Sequence, residues 1–205
     1  MKIKDLKIGV LNDKGGVGKS AIVMQIALAN NLKVIELDTY GNIAKRVPNT
    51  VSFEEGERVK LPRTGGYVVD FGGFAHTQED YILSKLDVLV IPFLATAESV
   101  ETTYNMIDRF EIDIPILFVA NRISKKDEKA VLSAFGLFNR VIDGANLSAL
   151  TESRAIQSAI NNGFDIVSAS GQKGLKGQPY RKMAEQLKKL FEKIENTVEG
   201  EIVNV

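Results

Sequence analysis

Residues 12–20 read Asn-Asp-Lys-Gly-Gly-Val-Gly-Lys-Ser, and the rest of the chain is best understood from this stretch. An apolar run of strand length, residues 8–11, precedes it, and residues 21–28 follow with a helical pattern. A strand, a glycine-rich loop and a helix form the setting of a phosphate-binding loop, because glycines let several backbone N–H groups point at one anion. The N-terminus of the helix adds positive potential at the same point. The stretch therefore predicts a nucleotide site.

Two side chains in this stretch have the chemistry that a nucleotide and its metal ion require. We expect Lys19 to reach the terminal phosphates and the Ser20 hydroxyl to bind Mg²⁺. The surrounding backbone is expected to contact the phosphate chain. The residues predicted to bind the nucleotide in this way are Gly15, Gly16, Val17, Gly18, Lys19, Ser20 and Ala21.

The stretch departs from the common phosphate-binding loop at its start. Asp13 stands where the pattern G-x-x-x-x-G-K-[ST] has its first glycine, and Lys14 follows it. The doubled lysine of residues 14–20 resembles the deviant Walker A loop of the ParA/MinD family of P-loop ATPases. The resemblance implies that Lys14 crosses a dimer interface to the other subunit's nucleotide and acts in catalysis with Lys19. The residues alone also allow Lys14 to be a second, solvated cation near its own phosphates.

The composition of the chain excludes several classes of protein. It has 205 residues, 26 basic and 26 acidic side chains, and no cysteine. Disulfides and thiolate metal sites are therefore excluded, and nucleic-acid binding would need a local basic patch. The N-terminus lacks the apolar core of a signal peptide, and no apolar run approaches the length of a membrane span. We expect a single domain over residues 1–205, soluble and cytoplasmic, with a frayed tail at about 199–205.

Apolar runs of strand length alternate with helical patterns along the chain. Continuous runs such as residues 88–91 and 116–119 suit strands that are buried on both faces. The alternation predicts an α/β fold of the P-loop NTPase type: a mostly parallel, twisted sheet with helices on both faces and ligands at the carboxyl ends of the strands. Residues 43–65 are the least regular and are expected to hold short hairpin pieces. Strands are predicted at 6–11, 33–37, 66–70, 87–92, 115–120, 139–142 and 165–168, and helices at 19–30, 77–85, 98–110, 126–137, 148–161 and 179–197.

Two aspartates end predicted strands beside the loop. Asp38 ends the second strand, where a carboxylate can face the γ-phosphate and hold an attacking water. Asp70 ends the apolar run 67–69, and a carboxylate there orders Mg²⁺ directly or through water. By resemblance Asp38 is the hydrolytic aspartate of the family, and Ser20, Asp38 and Asp70 form the Mg²⁺ site. Glu36 departs from the family's first aspartate, and the residues also allow Asp38 to be only a turn former.

Asn121 follows the predicted strand at 115–120. An asparagine amide both donates and accepts hydrogen bonds, so at a strand tip it can contact a purine edge. In the family that the loop resembles, an Asn-Arg or Asn-Lys pair here contacts adenine, and Asn121 with Arg122 matches that pair. A cap for the helix after Lys125 would explain the same asparagine.

The last third of the chain contains a basic segment. No acidic residue occurs between Asp165 and Glu185, and three glycines favour a mobile loop over residues 171–177. Such a patch can bind DNA without sequence preference and with strong salt dependence. A solvated loop would have the same composition, but the resemblance favours DNA. The candidate DNA-binding residues are Arg154, Lys173, Lys176, Arg181 and Lys182.

The C-terminal helix has an apolar stripe with lysines beside it, as membrane-binding helices do. Glutamates at its end would be repelled by anionic lipid, so packing on the sheet is the favoured interpretation. The stripe consists of Met183, Leu187, Leu190, Phe191 and Ile194.

The resemblance as a whole implies a ParA-like ATPase that segregates or positions plasmid or chromosomal DNA. ATP and Mg²⁺ would drive homodimerisation, the dimer would bind DNA non-specifically, and slow hydrolysis would release it. A centromere-binding adaptor of the ParB type would stimulate hydrolysis, and the protein would associate with the nucleoid. The alternatives are a MinD-like, membrane-associated positioning ATPase and a nucleotide-dependent scaffold protein of conjugation.

Overall fold

The computed structural model describes residues 1–37, 41–54, 56–72, 78–109 and 114–200. Short 3₁₀ turns connect several of its elements. The strands are Lys7–Val10 (β1), Lys33–Glu36 (β2), Thr50–Ser52 (β3), Tyr67–Asp70 (β4), Val88–Phe93 (β5), Ile116–Ile123 (β6) and Asn146–Thr151 (β7). The helices are Lys19–Asn30 (α1), Glu79–Leu83 (α2), Ala97–Arg109 (α3), Glu128–Phe138 (α4), Arg154–Asn162 (α5), Ile166–Ser170 (α6) and Arg181–Val198 (α7).

The seven strands form one sheet in the order β3-β2-β4-β1-β5-β6-β7, and every recorded pairing is parallel. β1 lies at the centre, between β4 and β5, and the chain leaves it towards β2 on one side and returns to β5 on the other. Ligands bind at such a change of direction, outside the carboxyl ends of the strands. The predicted parallel α/β sheet with helices on both faces is confirmed.

Each face of the sheet has its own hydrophobic core. Val88 and Val90 belong to the core beneath α1, α5, α6 and α7, whereas Leu89 and Ile91 belong to the core beneath α2, α3 and α4. Successive side chains of a strand point to opposite faces, so a strand covered on both sides must be apolar at every position. This arrangement explains the continuous apolar runs and holds the glycine loop at the carboxyl edge.

The predicted strands at 139–142 and 165–168 were wrong. Residues 139–142 form the turn that ends α4, and residues 166–170 form α6, whose first turn is capped by the Asp165 carboxylate accepting from the Ser168 N–H at 2.9 Å. A short apolar run does not distinguish a strand from a buried helix segment.

The seventh strand lies at Asn146–Thr151, so the helix predicted over 148–161 begins only at Arg154. Its pattern was missed because the buried positions of this strand include the polar side chains Asn146 and Ser148. Residues 43–65 were also misassigned: the strand within them, β3, pairs in parallel with β2 and is not part of a hairpin.

Candidate nucleotide-binding site

The glycine loop joins β1 to α1 in a backbone conformation that requires glycine. Gly16 has φ +77° and Gly18 has φ +99°, both in the left-handed region that side chains disfavour. A Cβ on Gly18 would also lie 2.2 Å from Asn121 Nδ2, which donates to the Val17 carbonyl at 2.7 Å. The side chain at the end of β6 can therefore hold the loop only because residue 18 has none.

Lys19 is held inside the curve of this loop. The residue is 8% exposed, and its Nζ donates to the Asn12 carbonyl at 2.9 Å and to the Lys14 carbonyl at 3.4 Å. The ammonium group is thus fixed by the backbone that would surround a phosphate. Because three rotatable donors sit on one cation, Lys19 can exchange a carbonyl for a phosphate oxygen without leaving its position.

Two adjoining cavities open at the loop. The first, which we call the loop cavity, has a volume of about 520 Å³, and glycine-loop residues form one wall. The second, the flanking cavity, has about 620 Å³ and lies against the ends of β6 and β7 and the start of α5. Both cavities are lined by Gly18, Ala21, Arg122 and Ile160, so one elongated ligand can occupy both.

The loop cavity is strongly cationic. Lys19, Arg46 and Arg122 line it, and no acidic side chain is found among the described residues of its wall. Clefts lined by charge of one sign raise the local concentration of the opposite ion. A cavity with three cations at the N-terminus of a long helix therefore suits a polyanion such as the phosphate chain of a nucleotide.

Ser20 and Asp70 carry oxygen atoms of the kind that Mg²⁺ prefers. Ser20 lines the loop cavity, and Asp70 is fully buried at the end of β4, paired in register with Val10 just before the loop. A hydroxyl and a carboxylate, completed by phosphate oxygens and water, are a suitable donor set for this ion. Asp38, the third predicted ligand and the predicted hydrolytic residue, lies outside the described residues. Within the described part of the chain, no cluster of three or more acidic or histidine side chains suits a metal ion.

Lys14 points in a different direction from Lys19. Its Nζ forms an ion pair with Glu98 Oε1 of α3 at 2.5 Å, and Lys14 does not line the loop cavity. Glu98 is therefore not simply a solvated helix charge, because it has a specific partner in the loop. Asp13 likewise pairs with Arg109 at the other end of α3.

Asn12 anchors this part of the loop from within. It is fully buried, and its Nδ2 donates to Pro92 O at 2.9 Å and to Thr103 Oγ1 at 2.8 Å. Its Oδ1 accepts from the Lys14 N–H at 2.8 Å. Three successive residues before the glycines therefore contact α3.

Solved structures share this fold. A plasmid partition protein from Borrelia burgdorferi B31 bound to AMPPNP aligns with 91% of this chain and 100% of its own, at 19% identity and a TM-score of 0.55. The ATP complex of a McdA variant from Cyanothece aligns with 98% of this chain and 99% of its own, at 14% identity and a TM-score of 0.59. The cell division protein MinD from Aquifex aeolicus aligns with 98% of this chain and 99% of its own, at 17% identity and a TM-score of 0.58. No family model and no curated protein matches by sequence.

The chain has the ParA/MinD fold.

Within the ParA/MinD fold, Glu36 of this chain has a structural role. Its buried carboxylate accepts from the Ile43 N–H at 2.8 Å through Oε1 and from Ser52 Oγ at 2.6 Å through Oε2. The first contact fixes the turn after β2 and the second fixes β3. The departure from aspartate at this position thus coincides with a side chain that bridges two segments.

Asn121 ties β6 to the glycine loop and does not cap the next helix. Its Oδ1 accepts from the Arg122 N–H at 2.9 Å, while Ser124 and the Asp127 carboxylate cap the turn that follows. The Ser124 N–H and the Ser124 hydroxyl both donate to the Asp127 carboxylate, and these two hydrogen bonds hold the pKa of Asp127 below its usual value. The Asn121 amide still has one hydrogen and one lone pair for a base. Contact with adenine therefore stays a prediction, and the capping alternative was wrong.

Arg122 has a backbone φ of +54°, an unusual value for a residue other than glycine. It lies at an irregularity in the pairing of β6 with β7, and its side chain lines both cavities. Such outliers persist where the surrounding structure holds them, and they cluster at functional sites.

The predicted DNA-binding residues occupy two parts of the chain. Lys173, Lys176, Arg181 and Lys182 are exposed around two 3₁₀ turns and the start of α7, whereas Arg154 lines the flanking cavity. The turns are closed at Gly177, where a Cβ would lie 2.6 Å from the Gln172 carbonyl oxygen. The basic segment therefore contains two short 3₁₀ turns, which its three glycines did not predict.

The apolar stripe of α7 packs on the sheet, as predicted. Met183, Leu187, Leu190 and Ile194 are all buried, and Phe191 packs against them. Of the helices in the described part of the chain, none combines the length and apolar character needed to cross a membrane.

A buried carboxyl group beside the loop was not recognisable from the sequence. Glu79 starts α2, and burial together with the nearby Asp13 carboxylate raises its pKa to about 7, although Arg109 acts in the opposite direction. Arg46, in the loop cavity, was not recognisable either. Neither belongs to a recognisable motif, because both depend on contacts between segments that are distant in sequence.

Proposed function

We propose that this chain is a ParA-like ATPase that dimerises on binding ATP and Mg²⁺ and binds DNA non-specifically. It hydrolyses ATP slowly, through a water held by Asp38, and so segregates or positions plasmid or chromosomal DNA. A centromere-binding adaptor of the ParB type stimulates hydrolysis. The protein acts in the cytoplasm, in association with the nucleoid.

The observation that supports this proposal most directly is that the two lysines of the loop have different positions and different partners. Lys19 belongs to its own cationic cavity, whereas Lys14 points away from that cavity and towards α3. A lysine that served only its own nucleotide would be expected beside Lys19. The outward position instead suits a residue that contacts the nucleotide of a second subunit.

ATP fits the two adjoining cavities. Its triphosphate would lie in the loop cavity against Lys19, with Mg²⁺ on Ser20 and Asp70. Its adenine would lie in the flanking cavity near Asn121 and Arg122. When bound, Mg²⁺ would neutralise the charge that develops on the transferred phosphoryl group.

DNA binding is supported by the exposed basic segment at residues 173–182. Its four cations have no acidic neighbour between Asp165 and Glu185, and phosphate contacts of this kind carry no sequence preference. The buried stripe of α7 does not favour the membrane alternative, because lipid binding by this face would require the helix to leave the core.

The test is binding of the whole chain to a random-sequence duplex with ATP, with ADP and without nucleotide, over a range of salt concentrations. ATP-dependent, salt-sensitive binding that Lys14→Ala abolishes would support the proposal. As a matched control, Lys2→Ala removes a lysine that is not part of the loop. Absence of DNA binding in every state would contradict the DNA role, and ATP-dependent flotation with anionic liposomes would favour the membrane alternative. Unchanged function of Asp38→Ala in cells would favour a scaffold.

A further inference from the structure

The loop cavity also has lining residues that no phosphate-binding motif includes. Gly41, Asn42, Ile43 and Arg46, which follow β2 in the chain, line the same cavity as the glycines. Arg46 is half-buried, whereas the side chain of the preceding Lys45 is exposed and does not line the cavity.

The position of Arg46 is fixed by its backbone. Its N–H donates to the Ile43 carbonyl at 2.8 Å, and the next N–H, of Val47, donates to the same carbonyl at 2.9 Å. Ile43 is in turn held by the buried carboxylate of Glu36. A Cβ on Gly163 would lie only 3.4–3.6 Å from atoms of Arg46, so the turn after α5 packs closely against this residue.

The guanidinium group of Arg46 has more N–H donors than its contacts with the described residues use. Its recorded hydrogen bond is a long one, from Nη1 to the Asn42 carbonyl at 3.3 Å, and among the described residues no carboxylate forms an ion pair with it. A guanidinium group carries five N–H donors in a planar fork that matches the oxygens of phosphate. Half-burying such a group beside two other cations is unfavourable unless an anion joins them.

We infer that Arg46 is a further phosphate-binding residue, which contacts the phosphate chain of the nucleotide bound by the same chain. This inference rests on the proposed nucleotide-binding function. The cavity thus brings both the glycine loop and Arg46 to the phosphates.

The test compares Arg46→Gln with Lys45→Gln, because both remove one positive charge from the same turn and only Arg46 lines the cavity. Affinities for ATP, ADP and adenosine are measured by calorimetry. We expect Arg46→Gln to weaken ATP and ADP about tenfold or more, the effect of losing a charge-assisted hydrogen bond, and to leave adenosine unchanged. Lys45→Gln should bind all three ligands as the unmodified chain does.

Equal affinity of Arg46→Gln and the unmodified chain for ATP would overturn the inference and leave the proposed function intact. Equal weakening of adenosine and ATP would also overturn it, because the residue would then act through the fold. An unmodified chain that binds no nucleotide would overturn both. If Arg46→Gln does not fold, Arg46→Lys replaces it; we expect a smaller loss confined to ATP and ADP, since the charge remains but the fork is lost.

Discussion

The two lysines of the glycine loop are five residues apart in sequence and lie in opposite environments. Lys19 is 8% exposed and is held by backbone carbonyls inside the loop cavity. The Lys14 side chain is 30% exposed, and its partner Glu98 is 76% exposed. A surface ion pair of this kind contributes about 0–1 kcal/mol, so Lys14 can exchange its partner at little cost. The comparison distinguishes a lysine that is fixed before ligand binding from one that is free to move to a new anion.

The largest expected effect separates the two lysines directly. Lys19→Ala should abolish measurable ATP binding, because it removes the cation at the centre of the loop cavity. Lys14→Ala should leave ATP binding by the monomer within about threefold of the unmodified chain and abolish the ATP-dependent dimer. Calorimetry and sedimentation velocity measure the two properties. Equal loss of nucleotide affinity in both variants would show that the lysines share one role.

The next effect concerns the backbone that separates the two lysines. Gly18→Ala forces a side chain into a left-handed conformation and against Asn121 at 2.2 Å, so we expect it to destabilise the fold by about 2 kcal/mol or more. For a chain of this size the melting temperature should fall by roughly 5 °C or more. Gly15→Ala is the matched control, because a Cβ there meets nothing within 4 Å, and it should change stability by less than about 1 kcal/mol. Similar melting temperatures for the two variants would contradict the geometry of the loop.

The free energy of unfolding is expected to depend on pH through Glu79, which lies near Asp13 at the start of the loop. The pKa of Glu79 rises from 4.5 to about 7 in the folded state, chiefly by burial and then by Asp13. The folded state therefore keeps its proton between pH 4.5 and 7 while the unfolded state loses it, so this group lowers stability as pH rises through that window. We measure the free energy of unfolding of the unmodified chain and of Glu79→Gln from pH 4.5 to 8. Relative to the unmodified chain, the variant should become more stable as pH rises, and this gain should level off above about pH 7. A constant difference over this range would contradict a raised pKa.

The smallest effect tests the weakness of the Lys14 ion pair. Glu98→Gln removes the anion that competes with a nucleotide for Lys14, so the ATP-dependent dimer should form at about 1.5- to 5-fold lower protein concentration. Glu101→Gln, on the same helix, should not change it. Dimerisation that becomes weaker in Glu98→Gln would instead indicate that this glutamate contributes to the dimer interface.

Much of the site was predictable because its signals are local. The glycine loop needs left-handed φ values that the neighbouring residues cannot supply, and Asp70 ends an apolar strand, so both were recognisable from short stretches. Asp38 remains a prediction, since it lies outside the described residues. The errors fell where sequence patterns are degenerate: a buried strand with polar residues at Asn146 and Ser148, and a short apolar run that forms α6.

The sequence by itself determined the parallel α/β sheet, the loop and the cation at its centre. These follow from hydrophobic periodicity and from the conformational freedom of glycine, which act over a few residues. Only the tertiary structure decided that Lys14 meets Glu98, that Glu36 holds Ile43 and Ser52, and that Arg46 and Arg122 line one cavity with Lys19. The physical reason is that charge and hydrogen-bond partners are chosen by distance in space, and the sheet order brings together segments that lie far apart in the chain.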